Sequence, residues 1–178
     1  MKARHLQIKF AALSSFEKMK IIAYGDGSHA SLPNGASQGG CIVFVVDSDG
    51  TNCSPVDWRS KKLDRVTKSP LATEASAIAD TADFAVLAAN SLVELLRLSK
   101  QPYIEIRTDS QSLIDNLESK RVVKDPRLRV DIARLREMID IGEIYLKWVP
   151  KGEQIADALT KEGASSDLLM RVLSGGSL

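Results

Sequence analysis

The sequence contains few of the residues on which several common chemistries depend. Only two cysteines and two histidines occur among 178 residues, and aromatic residues make up 5% of the chain. Cys41 and Cys53 match neither a metal-ligand spacing nor a disulfide framework, so we predict two reduced, buried thiols. Since no cysteine or histidine cluster is present, chemistry at a metal would have to rest on carboxylates.

The chain also lacks a strong charge of either sign and any long apolar run. Its formal net charge is +1, so any binding of nucleic acid must come from local patches. No apolar run is long enough to span a membrane, and none follows residues 1–5 as it would in a secretory signal. We therefore expect an intracellular protein without a membrane partner.

The length and the hydrophobic content of 44% fit one globular domain with a full core. We place this domain at residues 19–173, after a lead-in strand or tail at 1–18 and before a loose end at 174–178. The predicted element order is β-β-β-α-β-α-α-β-α. The strand-like runs are 20–25, 41–46, a return strand that ends near Trp58, 103–108 and 144–149. The helical patterns are 71–97, 110–119, 127–139, 153–161 and a last amphipathic piece that ends at 173.

Four acidic residues stand at distinctive places in this pattern. Asp26 and Asp109 follow directly on strand-like runs, Glu74 lies near the start of the long helix, and Asp157 lies in the short helix after the last strand. If the first strand and the strand before Asp109 are parallel neighbours, their ends lie side by side, where α/β sheets place ligands. A cluster of carboxylates suits Mg²⁺ or Mn²⁺. Two such ions can stabilise the attacking and leaving oxygens of a phosphodiester displacement.

Each of these residues also has a simpler interpretation. Asp26 lies between glycines and could be a turn residue. Glu74 could be an ordinary first-turn glutamate, and Asp109 could be the N-cap of the helix that follows it. Asp157 lies opposite the apolar pair of its helix, which favours a solvent-facing side chain.

Taken together, the motifs resemble the ribonuclease H domain that closes the polyproteins of copia-type LTR retrotransposons. The resemblance covers about residues 5–173 and depends on the order and spacing of several short motifs. These are 24–28 (Tyr-Gly-Asp-Gly-Ser), 39–40 (Gly-Gly), 58–62 (Trp-Arg-Ser-Lys-Lys), 73–75 (Thr-Glu-Ala), 108–110 (Thr-Asp-Ser), 148–150 (Trp-Val-Pro) and 154–161 (Gln-Ile-Ala-Asp-Ala-Leu-Thr-Lys). It implies an α/β, ribonuclease H-like fold with a five-stranded mixed sheet flanked by helices on both faces.

The same resemblance implies an endonuclease that hydrolyses the RNA strand of RNA/DNA hybrids during retrotransposon reverse transcription. Asp26, Glu74, Asp109 and Asp157 fall on that family's catalytic, metal-binding positions for two Mg²⁺ ions, for which Mn²⁺ can substitute. An adjoining reverse transcriptase domain and a cytoplasmic virus-like particle are further implications. Many cellular ribonucleases H carry a histidine in the loop before the last aspartate, and the loop here, 150–154, has none. His29 follows Asp26 closely and lies either near the site or on the surface.

Basic and small polar residues near these motifs are candidates for substrate contacts. A first basic group precedes the long helix, and a second follows Asp109; each group either binds phosphates or forms a solvated loop. The first comprises Arg59, Lys61, Lys62, Arg65 and Lys68, and the second comprises Lys120, Arg121, Lys124, Arg127 and Arg129. Backbone groups and small side chains would contact 2′-hydroxyls, with Gly27, Ser28, Ser76 and Ser110 as candidates. Trp58 and Trp148 end strands and are predicted to lie in the core.

Two alternative functions remain open from the sequence. One is another nuclease of the same superfamily, although an exonuclease would typically pair a second acidic residue with Asp26, where Gly27 and Ser28 stand instead. The other is a non-catalytic connection-type domain that keeps the fold as a scaffold. Loss of a metal carboxylate would mark such a scaffold, and all four are present.

Overall fold

A computed structural model describes residues 7–13, 15–119, 121–175 and 177–178, and its centre is a five-stranded mixed sheet. The strand order is β3-β2-β1-β4-β5. The strands are β1 Lys20–Ser28, β2 Gln38–Val46, β3 Cys53–Lys62, β4 Tyr103–Thr108 and β5 Tyr145–Trp148. The first three form an antiparallel meander, while β4 pairs in parallel with both β1 and β5. The condition set out from the sequence is therefore met, since β1 and β4 are parallel neighbours.

Helices follow most of the predicted pattern. They are α1 Pro70–Leu96, α2 Gln111–Glu118, α3 Pro126–Asp140, α4 Asp157–Thr160 and α5 Asp167–Gly175. The single helix predicted for 153–161 is wrong, because a 3₁₀ turn at Lys151–Glu153 and an irregular connection precede α4. Helix α5 continues past residue 173, into the predicted loose end.

None of the helices in the described part of the chain combines the length and the apolar character that a membrane span requires.

Helix α1 forms where its capping signals and its apolar stripe predict it. The side chain of Ser69 accepts a hydrogen bond from the backbone N–H of Ala72, and Pro70 occupies the first helical position. Four alanines and Ile78 form the fully buried part of the stripe: Ala75, Ile78, Ala82, Ala85 and Ala89. Because alanine side chains are short, the helix axis can lie close to the sheet.

Helices cover both faces of the sheet, as predicted. On one face, α1, α2 and α3 pack against Ile21, Ala23 and Ile106 of the central strands. On the other face, the segment around α4 and helix α5 pack against Ile22, Tyr24 and other buried residues. The side chains of β1 thus alternate between two cores, and the strand is buried on both faces.

The lead-in is irregular where the structure describes it, rather than a strand. Residues 7–13 have no regular structure, and the backbone N–H of Lys9 donates to the carbonyl of Leu173 at 2.7 Å. This contact ties the lead-in to α5. Residues 1–6 lie outside the described residues, including His5 and Leu6 of the predicted lead-in, and so does Lys120 of the second basic group.

The two tryptophans are not core residues, contrary to the prediction. Trp58 is 52% exposed and Trp148 is 46% exposed, because they lie on β3 and β5, the two edge strands of the sheet. The prediction for the cysteines is confirmed, since Cys41 and Cys53 are both free and buried. Burial raises the pKa of each thiol to about 11, which keeps both protonated at neutral pH.

Candidate metal centre

Asp26 lies inside β1, not after its end. The strand continues to Ser28 because the ladder with β2 extends past the parallel pairing with β4, and Asp26 pairs with Gly40. The parallel pairing stops at Tyr24, opposite Arg107. Asp26 is therefore a fully buried strand residue just beyond the parallel ladder, with 0% exposure, and the interpretation as a turn residue is wrong.

Glu74 reaches this point because α1 packs closely against β1 at two glycines, Gly25 and Gly27. A Cβ added to Gly27 would lie 2.8 Å from the carbonyl oxygen of Thr73, and one added to Gly25 would lie 2.4 Å from Oγ1 of Thr81. The Thr73 hydroxyl also contacts Nδ1 of His29 at 2.9 Å. Glu74 lies beyond the first turn of α1, so it is not the first-turn glutamate of the simpler interpretation.

Asp109 follows β4 directly and is not a helix cap. The N-cap of α2 is Ser110, and no side-chain capping hydrogen bond is made there. The carbonyl oxygen of Asp109 accepts a hydrogen bond from Nε1 of Trp148 at 3.2 Å. The backbone of Asp109 is thus held between β4 and β5, and its carboxylate is left for other contacts.

Three of the four predicted carboxylates converge. Asp26, Glu74 and Asp109 each place one carboxylate oxygen so that all three atoms lie within 4.8 Å of one another. Oε2 of Glu74 is buried and has no hydrogen-bond partner among the described residues. Since three acids so close repel one another unless a proton or a cation lies between them, the arrangement fits a hard divalent cation with oxygen ligands.

The pKa values of this cluster reflect burial and mutual repulsion. Burial raises the pKa of Asp26, while the hydrogen bond from Thr160 and the charge of Lys161 oppose that rise. Burial also raises the pKa of Glu74, and the negative charges of Asp26 and Asp109 add to the effect, which brings it to about 8. Without a cation, Glu74 therefore keeps a proton at neutral pH, and a cation would have to displace it.

The fold that brings these three acids together matches solved structures of other proteins. LC11-RNase H1 in complex with an RNA/DNA hybrid matches with a TM-score of 0.57 and 19% identity over 79% of this chain and 94% of that chain. The N-terminal RNase H domain of Rv2228c from Mycobacterium tuberculosis, solved as a fusion with maltose-binding protein, gives a TM-score of 0.56 and 18% identity over 88% and 97%. This chain has the ribonuclease H-like fold. No protein-family model and no curated protein matches the sequence.

Part of a longer viral protein also matches the fold of this chain. The foamy viral protease-reverse transcriptase in complex with an RNA/DNA hybrid matches with a TM-score of 0.54 and 16% identity. The match covers 88% of this chain and 21% of that longer one. The fold therefore matches LC11-RNase H1, the N-terminal domain of Rv2228c and one part of a larger viral chain.

Asp157, the fourth predicted ligand, lies beside this cluster but is not one of its three members. It is the first residue of α4, and its side chain is 17% exposed, so it does not face solvent as the helical spacing suggested. Its carboxylate accepts a hydrogen bond from Nζ of Lys161, which also donates to Oδ1 of Asp26 at 3.3 Å. The ammonium of Lys161 thus bridges Asp157 and Asp26 of β1.

The residues that hold the α4 segment against β1 were not identified as functional from the sequence. The hydroxyl of Thr160 donates to Oδ2 of Asp26. Nε2 of the buried Gln154 donates to the carbonyl oxygen of Gly25 at 3.0 Å. For Lys161 a signal was present, because opposite charges four residues apart pair on a helix. Thr160 and Gln154 stand in the motif at 154–161, but their contacts could not be predicted from it, since their partners lie far away in sequence.

The first basic group is largely neutralised within the chain. Partial burial tends to lower the pKa of a lysine, but Lys61 keeps a raised pKa because Asp64 and Asp80 lie beside it. The ion pairs of this group are Arg59 with Asp57, Lys61 with Asp64 and Asp80, Arg65 with Asp131 and Lys68 with Asp125. Lys62 is exposed and forms no ion pair among the described residues. Of this group, Lys62 is thus the residue whose charge no carboxylate of the described residues offsets.

The remaining candidates for substrate contacts lie on several different elements. In the second basic group, Arg129 donates to the carbonyls of Val123 and Lys124, and Arg127 donates to that of Val66. Arg121 and Lys124 are exposed. Gly27 and Ser28 end β1, Ser76 is buried and accepts a hydrogen bond from Arg65 at 3.4 Å, and Ser110 caps α2.

Proposed function

We propose that this protein is a metal-dependent endonuclease that hydrolyses the RNA strand of RNA/DNA hybrids. The observation that carries the proposal is the convergence of Asp26, Glu74 and Asp109, with a buried carboxylate oxygen of Glu74 left unpartnered. The ribonuclease H-like fold supports it, because the cluster lies just beyond the point where the parallel pairing of β1 and β4 ends. Two proteins with this fold, LC11-RNase H1 and the foamy viral enzyme, were solved with RNA/DNA hybrids.

Asp26, Glu74, Asp109 and Asp157 are the residues that would hold Mg²⁺ ions. When bound, a pair of Mg²⁺ ions supplies a hydroxide-like water and stabilises the attacking and leaving oxygens of the phosphodiester. Asp26 is the most rigid ligand, because it and the residues before and after it pair with β2 and its carboxylate is held by Thr160 and Lys161. Glu74 gives up its proton on binding, and the short distance between α1 and β1 keeps its carboxylate in reach.

We also propose that the chain serves reverse transcription of a copia-type LTR retrotransposon, inside cytoplasmic virus-like particles. The order of the motifs from Tyr24 to Lys161 supports this context. The ion pairs within the first basic group add to the case, since an adjoining reverse transcriptase domain would supply the grip on the hybrid that this chain offers only weakly. Fusion to such a domain should tighten hybrid binding, and equal binding by the fused and separate chains would contradict the proposed partnership.

The central test is hydrolysis of an RNA/DNA hybrid in which each strand carries its own label. With Mg²⁺ or Mn²⁺ we expect products from the RNA strand and an intact DNA strand. Asp26→Asn and Asp109→Asn should abolish cleavage, because each removes a charged ligand while keeping the shape of the side chain. Asp140→Asn is the matched control: Asp140 is exposed at the end of α3, and its variant should cleave as the wild type does.

Two results would contradict the proposed activity. Intact RNA with the wild type in both metals would favour a non-catalytic scaffold domain. Cleavage of single-stranded DNA or of both strands of the hybrid would indicate a different nuclease of the same superfamily. Circular dichroism of each variant establishes that a loss of cleavage reflects lost ligands and not lost fold.

A further inference from the structure

The side chain of Lys161 lies between two of the four acidic residues. Lys161 follows α4 directly, and its ammonium donates to the carboxylate of Asp157 one turn earlier. It also donates to Oδ1 of Asp26 at 3.3 Å. The side chain of Lys161 is 33% exposed whereas that of Asp26 is not exposed at all. The ammonium is thus the solvent-facing partner of a buried acid.

Both carboxylate oxygens of Asp26 already accept a hydrogen bond. Oδ1 accepts from Lys161, and Oδ2 accepts from the hydroxyl of Thr160. A carboxylate oxygen has more than one lone pair, so Asp26 can still share a cation with Glu74 and Asp109 while both donors stay in place. A cation shared by Asp26 and Asp157 is different, because the ammonium of Lys161 already occupies the place between those two carboxylates.

We infer that Lys161 makes the two cation positions of this site unequal, by acting as a resident positive charge at the second one. The first cation joins Asp26, Glu74 and Asp109 with Lys161 in place. The second, shared by Asp26 and Asp157, binds only when the ammonium moves out towards solvent. Lys161 is therefore a positioning residue that sets how much metal the second position requires. This inference rests on the proposed function, since it assumes that Asp157 is a ligand.

Simple electrostatics supports the competition. An ammonium and a divalent cation a few ångströms apart repel each other, and the repulsion is weakly screened beside a buried carboxylate. With the second position free of metal, the ammonium offsets the repulsion between Asp26 and Asp157. Removing its charge should therefore favour a divalent cation at that position by about tenfold, the effect of a modest change in Coulomb energy.

The direct test counts bound Mn²⁺ by electron paramagnetic resonance, with the full chain and no substrate. The wild type should bind one ion tightly and a second weakly. Lys161→Met, which keeps most of the length of the side chain and removes its charge, should tighten the second position about tenfold and leave the first unchanged. Lys161→Arg keeps the charge and should keep the wild-type difference between the two positions. Lys161→Gln provides a second uncharged variant if the methionine variant does not fold.

Lys151→Met is the matched control. Lys151 is exposed in the 3₁₀ turn and forms no side-chain ion pair within the described ranges, so its loss should leave both Mn²⁺ affinities unchanged. Cleavage of the hybrid adds a second readout, since the Mn²⁺ concentration for half-maximal rate should fall in Lys161→Met and not in Lys161→Arg. If the role of Lys161 were purely structural, its substitution would lower thermal stability, and Lys161→Met and Lys161→Arg would not differ in their Mn²⁺ dependence.

The inference is overturned if the uncharged variants bind the second Mn²⁺ as weakly as the wild type or more weakly. A tightened second position in Lys161→Arg would overturn it as well, because charge would then not be the cause. Failure of the proposed function has a different signature, which is a wild-type protein that binds no Mn²⁺ or that binds it and leaves the hybrid intact. A wild type that binds no Mn²⁺ overturns the inference as well. If the wild type binds Mn²⁺ without cleaving the hybrid, the Mn²⁺ binding curves of the variants still decide the inference.

Discussion

At the scale of single residues, ionisation of the Glu74 side chain destabilises the metal-free protein. Its pKa lies at about 8 in the folded chain, against an ordinary value of 4.5, because of burial and the charges of Asp26 and Asp109. Between pH 4.5 and pH 8, Glu74 is thus protonated in the folded state and ionised in the unfolded state. Stability should therefore fall as pH rises from about 4.5 to about 8, and then level off.

We predict that Glu74→Gln stabilises the metal-free protein, by about 4 kcal/mol at pH 8 and by almost nothing at pH 4. Glutamine keeps the shape and cannot ionise, so it avoids the cost of charging a buried group. Urea denaturation in EDTA at both pH values measures the difference. Glu94→Gln, an exposed substitution on the same helix, should change neither value. Equal stability of Glu74→Gln and wild type at pH 8 would show that Glu74 carries no such cost.

Some site residues could be predicted singly, and others could not. Asp109 was placed correctly because the alternating run before it marks a strand that ends at Thr108, where β4 ends. Asp26 was placed at a strand end because the apolar run before it stops at residue 25, and the glycines that flank it left a turn open as an alternative. Here the glycines Gly25 and Gly27 serve the approach of α1, which only a neighbouring element can show. The contact of Thr160 with Asp26 likewise joins residues far apart in the chain.

At the scale of secondary-structure elements, the contact between α1 and β1 determines where Glu74 lies. A Cβ on Gly27 would meet the carbonyl oxygen of Thr73 at 2.8 Å and its carbonyl carbon at 2.9 Å. These are backbone atoms next to Glu74, so they cannot rotate away as the end of a side chain could. A methyl group at this position would push the start of α1 away from the strand.

We predict that Gly27→Ala destabilises the protein by roughly 1–3 kcal/mol, the usual cost of overpacking. Cleavage should fall further than stability explains, because the displaced helix carries Glu74 away from Asp26 and Asp109. Thermal denaturation and hybrid cleavage measure the two effects. Gly152→Ala is the control, since a Cβ there would meet no atom within 4 Å. Wild-type activity in Gly27→Ala would mean that the site tolerates a shifted helix.

The elements were predicted best where one period extends over many residues. The stripe of α1 and the alternation of β4 are both of this kind, and both were placed within a residue or two. The segment after β5 was predicted worst. Its irregular path depends on the buried side chain of Gln154, which bonds to the backbone of Gly25 across the fold. A local pattern cannot contain that information, so the sequence suggested one continuous helix.

At the scale of the whole molecule, charge is balanced almost everywhere. The net charge is +1, and the basic residues before α1 are mostly paired with aspartates. Each phosphate contact that releases a counterion adds about −0.9 to the slope of the logarithm of affinity against the logarithm of salt concentration. A chain with few unpaired basic residues near its site should therefore show a shallow slope.

We predict a slope between about −1 and −3 for binding of an RNA/DNA hybrid by this chain, measured in Ca²⁺ by fluorescence anisotropy. Lys62→Met should make the slope shallower by about 1, because Lys62 is exposed and free of an ion pair among the described residues. Lys18→Met is the control, because Lys18 precedes β1 at the end of that strand opposite to Asp26. A slope steeper than about −5 would show that the paired residues exchange their aspartates for phosphates.

The acidic cluster draws its members from distant parts of the chain, and this has a consequence for the timing of its appearance. On a ribosome that adds about 5–20 residues per second, Asp26 leaves the exit tunnel several seconds before Asp109. Until β4 has paired beside β1, a nascent chain carries separate acids and no common pocket. Until Lys161 has emerged as well, Asp26 lacks its positive neighbour. Any capacity of this molecule to cut nucleic acid thus arises only after the segment through Lys161 has been synthesised and has packed against β1.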